Sequence, residues 1–179
     1  GVSKFAKTGI FSGLNNLKDI TLDKRYSSIC GYTERDLDTV FTQWIQKYDR
    51  KRIQEWYNGY SWTGESVYNP FDILLYFDEG VLRPYWFETG TPTFLIQLWK
   101  TNPRIPADYD LMTAGDDIVG SFDPEHIRLE TLLFQSGYLT IKKWDEDPIR
   151  GVRYILGYPN AEVRTSLNIL FTDILVGRD

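Results

Sequence analysis

A chain of 179 residues can bury one core, or two small ones that share an interface, and its 42% hydrophobic and 25% charged residues are ordinary for a globular protein. The formal net charge of -5 argues against a nucleic-acid-binding surface, which needs clustered lysine and arginine. Cys30 is the only cysteine, which excludes an intrachain disulfide and a thiolate zinc site, and no apolar stretch reaches transmembrane length, so we expect a cytoplasmic protein without a membrane partner.

The N-terminal residues 1–32 hold turn formers such as Gly9 and Gly13 and have little helical period, so they predict loops with short strands or turns. The first five residues are typical of the exit of a strand. Because the sequence begins at Gly1 and its only methionine is Met112, we expect it to be a piece of a longer protein.

Two capping signals predict a helical hairpin after this region. Thr33, with Asp36 three residues later, is a variant of the capping box, and the apolar residues that follow fall on one face at helical spacing. These apolar residues are Leu37, Val40, Phe41, Trp44, Ile45 and Tyr48. Asp49 is a second capping residue, for a helix over residues 50–57 that an Asn-Gly pair ends.

A capping residue followed by proline recurs three times along the chain, and each pair predicts the first turn of a helix. The pairs are Asn69-Pro70, Thr91-Pro92 and Asp123-Pro124, and the helices they predict cover residues 71–77, 93–99 and 125–135. Residues 101–122 contain two prolines and two glycines, which predicts a loop.

The pattern changes from helical to strand period after Gly137. Residues 138–141 and 152–156 are rich in strand formers and flank the turn-like segment 145–151, which predicts a β-hairpin. A last helix opens at Pro159-Asn160, and its apolar stripe consists of Val163, Leu167, Leu170, Phe171, Ile174 and Leu175. The predicted fold class is therefore α+β and mainly α-helical, with a winged-helix-like helix, β-hairpin and helix unit at the end.

Eight stretches of the sequence carry a resemblance to a known family. They are GVSKF at 1–5, IFSGLNNL at 10–17, ICGYT at 29–33, WYNGY at 56–60, VYNPF at 67–71, YWFETGTP at 85–92, LFQSGYL at 133–139 and LGYPN at 156–160. In this order they resemble the predicted AAA-ATPase-like proteins of bacteria, common in Bacteroidetes, which usually carry a C-terminal PD-(D/E)XK nuclease-like domain.

The resemblance implies three regions in this chain. Residues 1–32 would be a remnant of the ATPase core with the exit of its sensor-1 strand, residues 33–122 a helical lid subdomain, and residues 123–179 the winged-helix-like region. Family members hold ATP and Mg²⁺ through Walker motifs in an N-terminal P-loop region, and the motif G-x-x-x-x-G-K-S/T is absent from this sequence. We therefore expect ATP and Mg²⁺ in the full-length parent, and no cofactor, metal or catalytic residue in this portion.

The resemblance places Ser3 and Lys4 at the polar end of the sensor-1 strand. A polar side chain at that place in AAA-type ATPases orients the attacking water or contacts the γ-phosphate, so these two residues are the candidate cofactor-binding positions. The alternative is a chain terminus without a role.

Four basic residues of the hairpin region are candidate nucleic-acid contacts: Lys142, Lys143, Arg150 and Arg153. Acidic residues accompany them, and the helix predicted before the hairpin has a net negative charge, the wrong sign for a DNA recognition helix. Contact with protein, within the chain or in a partner, is therefore the favoured interpretation, and DNA is the weaker one.

Two further groups have both a functional and a structural interpretation. The first group is aromatic: Trp56, Tyr57, Tyr60, Trp62 and Tyr68. These rings could stack on bases or sugars, but no basic residue lies among them, which favours core and lid packing. His126 is the only histidine, and the acidic residues beside it are explained as complements of the helix dipole, so a metal site is not predicted.

The function expected from the resemblance is coupling of nucleotide state to an attached nuclease-like domain. The partners would be the N-terminal P-loop region and the C-terminal nuclease-like domain of the same protein, with a separate protein partner also open. The alternative is a nucleic-acid or protein interaction module without ATP coupling.

Overall fold

Short helices and one small sheet make up a computed structural model of the chain, which describes residues 18–89, 93, 95–97, 109–119, 128–149 and 151–177. The helices are α1 Glu34–Thr39, α2 Thr42–Ile45, α3 Arg50–Tyr57, α4 Pro70–Glu79, α5 Tyr85–Glu88, α6 Leu129–Gln135 and α7 Ala161–Val176. The strands are β1 Met112–Ala114, β2 Thr140–Asp147 and β3 Gly151–Gly157. The predicted α+β, mainly α-helical class is confirmed.

Side-chain caps start the helices where the sequence predicts them. Thr33 and Asp36 form the predicted capping box at α1, in which the Asp36 carboxylate accepts the backbone N–H of Thr33 at 2.8 Å. Asp49 caps α3, Asn69 caps α4 in front of Pro70, and the Asn160 side chain caps α7. These caps are local interactions, which is why spacing alone predicts them.

The continuous apolar helix predicted up to Tyr48 is wrong. The chain leaves the helix after Thr39 and forms α2 only from Thr42, because Phe41 has a non-helical backbone. Its ring packs on Phe77 with centroids 5.5 Å apart, so tertiary packing overrides the helical period. In consequence Val40 is 63% exposed, although the pattern assigns it to the buried face.

The hairpin of β2 and β3 is confirmed, and a third strand is added to it. β1 pairs antiparallel with β3, which gives the sheet order β1-β3-β2. This strand lies in the predicted loop 101–122, and three residues are too few to show a strand period. The predicted turn 145–151 is also too long, because β2 continues to Asp147.

The remaining predicted elements are confirmed only in part. α6 begins at Leu129 after an extended Arg128, whereas the helix was predicted from residue 125. The pairs Thr91-Pro92 and Asp123-Pro124 lie outside the described residues, as do residues 1–17, while residues 93 and 95–97 are helical. On α7, Leu175 is 67% exposed, so the apolar stripe ends before the predicted residue.

Two clusters of buried apolar residues form the interior. The first packs α1 to α5, with Leu37, Ile53, Tyr57, Tyr68 and Ile73 fully buried. The second packs the sheet together with α6 and α7, with Ile118, Leu156, Val163, Leu167 and Phe171 among its residues. The two clusters meet where α3 and α5 contact α7. The predicted boundaries of the three regions stay predictions.

The backbone at Gly59 lies close to Pro159, the residue before the N-cap of α7. Gly59 has a φ of 114°, and a Cβ at this position would overlap the carbonyl oxygen of Pro159, which precedes α7. A side chain therefore conflicts both with the local backbone and with the close contact between the two clusters.

We expect Gly59→Ala to destabilise the protein by about 3 kcal/mol, because it adds backbone strain and a clash with Pro159. Gly177→Ala is the matched control: Gly177 has a φ of 70°, but among the described residues a Cβ there would have no neighbouring atom within 4 Å, so only the strain of about 1 kcal/mol applies. Urea unfolding followed by circular dichroism measures both losses, and equal losses would show that the contact with Pro159 does not matter.

Candidate functional site

Two carboxyl groups from different helices are buried together where the clusters meet. Asp72 lies in the first turn of α4 and Glu162 in the first turn of α7, and both side chains are 0% exposed. An acidic residue in a first helical turn complements the helix dipole, which explains the residue type at each position. It does not explain the burial, which comes from the approach of the two helix ends.

The backbone amide of Trp86 joins the two carboxyl groups. It lies 2.9 Å from Oδ1 of Asp72 and 2.9 Å from Oε1 of Glu162. The amide of Phe87 also donates to Oε1 of Glu162, at 3.3 Å. These amides belong to the first turn of α5, whose N-cap residue Pro84 supplies no side-chain hydrogen bond. Carboxyl groups of α4 and α7 therefore satisfy the N-terminus of α5.

Burial raises the pKa of both carboxyl groups. For Glu162 the negative charge of Asp72 raises the pKa further. Two like charges in a dry site repel strongly, so the stable form of the pair holds one proton between the two carboxyl groups. The geometry thus creates one buried acid pair that carries a single negative charge.

Five buried polar side-chain atoms at the junction, two of them in the acid pair itself, lack a hydrogen-bond partner among the described residues. They are the Tyr60 hydroxyl, Asp72 Oδ2, Asn160 Nδ2, Glu162 Oε2 and Ser166 Oγ. Desolvation raises the pKa of Tyr60 well above its ordinary value, and the charges of the acid pair add to this effect. Each unsatisfied buried group costs free energy, so hydrogen bonding at this junction is incomplete.

Further hydrogen bonds and ring contacts surround the acid pair. The Tyr57 hydroxyl binds the backbone of Arg83 on both sides, accepting its N–H at 3.1 Å and donating to its carbonyl at 3.0 Å. The ring of Trp86 packs on Tyr138 with centroids 5.2 Å apart. Thr140 Oγ1 accepts the amide of Ser61 at 2.7 Å. The two clusters therefore meet at a polar junction, and its hydrogen bonds allow few alternative arrangements of the clusters.

The described hairpin residues do not form one basic surface. Lys142 lies at an irregularity in the pairing of β2 with β3, and its ammonium group donates to the carbonyl of Pro159 at 3.2 Å. Partial desolvation lowers the pKa of Lys142. Lys143 and Arg153 are exposed, and Arg153 lies opposite Asp145 in the sheet. Arg150 lies outside the described residues, as do Ser3 and Lys4.

A cleft of about 360 Å³ lies beside the hairpin. Its charged lining residues are Arg128, Arg153, Asp145 and Asp147, so both signs are present and neither dominates. Such a lining has no clear preference for an anion or a cation.

Three other sequence interpretations can be compared with the structure. Tyr57, Tyr60 and Tyr68 are buried, which favours packing over a stacking platform for the aromatic group. His126 lies outside the described residues, and the described part of the chain contains no group of three or more potential metal ligands. Within the same part of the chain, no helix is both long enough and apolar enough to cross a membrane.

Sequence reasoning missed Asp72 and Glu162. Both residues follow a predicted capping position, where an acidic residue is expected on any solvated helix. The sequence contained one signal for this site. Asp72 and Glu162 follow the caps Asn69 and Asn160, which lie in the stretches VYNPF and LGYPN that carry the family resemblance.

Comparison with known proteins shows a similar protein of greater length. The chain is 52% identical over 168 residues to a protein described as "Uncharacterized protein in vnfD 5'region" from Azotobacter chroococcum mcd 1. The match covers 94% of this chain and 32% of the relative, so the chain spans about a third of the length of that protein. No protein-family model matches the chain. No solved structure matches it either.

We expect Glu162→Ala to destabilise the protein by about 3 kcal/mol, because it removes the acceptor for the Phe87 amide and leaves Asp72 buried without its partner. Glu65→Ala, a change at an exposed carboxylate, is the matched control and should leave stability essentially unchanged. Thermal unfolding of both variants tests this, and a Glu162→Ala protein as stable as the control would remove the structural role of the pair.

Proposed function

We propose that this chain is the lid and winged-helix-like portion of an AAA-type ATPase, and that it couples nucleotide state to an attached nuclease-like domain. The observation that carries the proposal is the position of the resembling stretches. Residues of WYNGY, YWFETGTP, LFQSGYL and LGYPN contribute contacts to the polar junction between the two clusters, and VYNPF directly precedes Asp72 in the chain. The family-like sequence is therefore concentrated where two parts of the chain would have to move relative to each other.

A polar junction is a suitable element for such coupling. Apolar surfaces that separate expose area to water at a cost of roughly 25 cal/mol per Å². Carboxyl and amide groups instead exchange their hydrogen bonds for bonds to water, so opening costs less per group. ATP would favour one arrangement only if it binds that arrangement more tightly than the other. ATP and Mg²⁺ themselves would be held by a P-loop region of the longer protein.

The match to part of a longer relative is compatible with this proposal. A portion of a multidomain ATPase is expected to align with a fraction of its homologues, as this chain does with about a third of the Azotobacter protein. That protein is described as uncharacterized, so it adds no activity to the argument.

In the longer protein, we expect Mg²⁺-ATP to slow backbone hydrogen exchange over residues 57–91, because a closed lid would hold the junction shut. Hydrogen exchange with mass spectrometry, with and without Mg²⁺-ATP, measures this effect. The β2–β3 hairpin serves as an internal reference, since nucleotide should change its exchange less. Unchanged exchange over residues 57–91 at saturating ATP would contradict the coupling proposal.

The second candidate function is a nucleic-acid or protein interaction module without ATP coupling. The exposed Lys143 and Arg153 are the residues that favour it. Against it, the described residues of β2 and β3 carry three basic and three acidic side chains, so the hairpin offers no net positive charge to a phosphate backbone.

We expect no duplex DNA binding by the chain up to high micromolar protein, because the hairpin charges cancel. A titration by fluorescence anisotropy at several salt concentrations measures this. Binding with a steep salt dependence that Lys143→Ala and Arg153→Ala both weaken would favour the interaction module instead.

A further inference from the structure

One amide hydrogen serves two buried carboxyl groups at the junction. Trp86 N–H lies at the same distance, 2.9 Å, from Asp72 and from Glu162. A single donor cannot satisfy two carboxylate anions, and neither side chain is exposed to water. The arrangement is therefore complete only when a proton is present on one of the two carboxyl groups.

Among the residues that the structure describes, the groups that face the acid pair do not include a compensating cation. From α3 and the segment after it, Tyr57 and Tyr60 approach the pair, and from α5 the backbone amides of Trp86 and Phe87 do so. Arg83 binds Glu79 and Glu88 at the surface, and the Tyr85 hydroxyl binds the carbonyl of Val81. On α7, Asn160 and Ser166 are neutral, and Arg164 pairs with Asp110. Within the described residues, a proton is thus the available counter-charge.

The same acid pair also attaches α5 to the rest of the protein. This helix has four residues, and no side chain of its own N-cap holds its first amides. Those amides bind carboxyl groups from α4 and α7 instead. If both carboxyl groups become anionic, their repulsion acts directly across the amide that joins α4, α5 and α7.

We propose that the Asp72–Glu162 pair is a proton-held latch: the shared proton keeps the two clusters joined at the Trp86 turn, and its loss lets this turn detach. The latch does not depend on ATP, and it gives the junction a regulatory input of its own.

The direction of the pH effect follows from the pair's proton affinity. The closed form keeps its proton above the ordinary carboxyl pKa of about 4, whereas the open, hydrated form loses it near that value. The closed form therefore binds more protons, so the closed state is most favoured at acid pH and is lost as pH rises. One proton of difference makes opening about tenfold more favourable for each pH unit.

Hydrogen exchange of single amides by NMR tests the latch in the full chain. Between about pH 5 and pH 8, the protection of the Trp86 and Phe87 amides should fall about tenfold per pH unit, after correction for the pH dependence of exchange in an unfolded chain. The amides of Ile53 and Leu139, one in each cluster, should keep their protection. Constant protection at Trp86 and Phe87 would overturn the latch, and so would a parallel loss at all four amides, which indicates global unfolding.

The variants Glu162→Gln and Asp72→Asn separate the latch from other causes of pH dependence. Each replaces an ionisable carboxyl by a neutral amide of similar size, so the protection of Trp86 should no longer vary with pH. Glu65→Gln, at an exposed position, is the matched control and should behave as the wild type. A pH dependence retained in both pair variants would contradict the proposal. If neither variant folds, the wild-type pH series still decides it. This test uses no nucleotide, so its outcome is independent of the ATP coupling proposed above.

Discussion

A single backbone amide, that of Trp86, joins three helices of this protein through hydrogen bonds. It donates to Asp72 on α4 and to Glu162 on α7, and it belongs to the uncapped first turn of α5. Because an unsatisfied buried polar group costs about 1–3 kcal/mol, this contact is stable only in a narrow range of helix positions. Hydrogen-bond geometry at Trp86 therefore helps to set the relative orientation of the two clusters, together with the packing of the Trp86 ring on Tyr138.

The residues around the Trp86 amide are consistent with a junction held by hydrogen-bond geometry. Apolar packing lies on both sides, in the cluster of α1 to α5 and in the cluster of the sheet with α6 and α7. The contact zone between them contains buried carboxyl, hydroxyl and amide groups, several of them unsatisfied. Buried polar networks specify one arrangement when satisfied and become weak points when they are not. The proposed coupling to a nucleotide and the proposed proton latch both use this property.

Much of the helical part of the fold could be predicted from the sequence, because caps are local. Thr33, Asp49, Asn69 and Asn160 each cap a helix as their spacing indicates. The break at Phe41 could not be predicted, since it depends on an aromatic contact with residues far along the chain. β1 was too short for a periodic signal.

The acid pair of Asp72 and Glu162 also could not be predicted from the sequence, because it depends on a contact between distant residues. An acidic residue in a first helical turn has the same sequence signature whether it faces water or a second carboxyl group. Only the approach of α4 and α7 in three dimensions distinguishes the two cases. For the basic hairpin residues, the sequence predicted a possible function that the structure does not favour. Lys142 donates a hydrogen bond to the carbonyl of Pro159, and Arg153 lies opposite Asp145 in the sheet. The number of charged residues in the sequence does not show either contact.

A double-mutant cycle between Asp72 and Glu162 tests the central claim most directly. The free energies of unfolding of Asp72→Asn, Glu162→Gln and the double variant would be measured by urea denaturation at one pH near neutrality. If the two carboxyl groups act as one proton-sharing unit, the double variant loses less stability than the sum of the single variants, with a coupling energy of about 1–3 kcal/mol. Additivity within about 0.5 kcal/mol would show that the two residues act independently and would contradict the account.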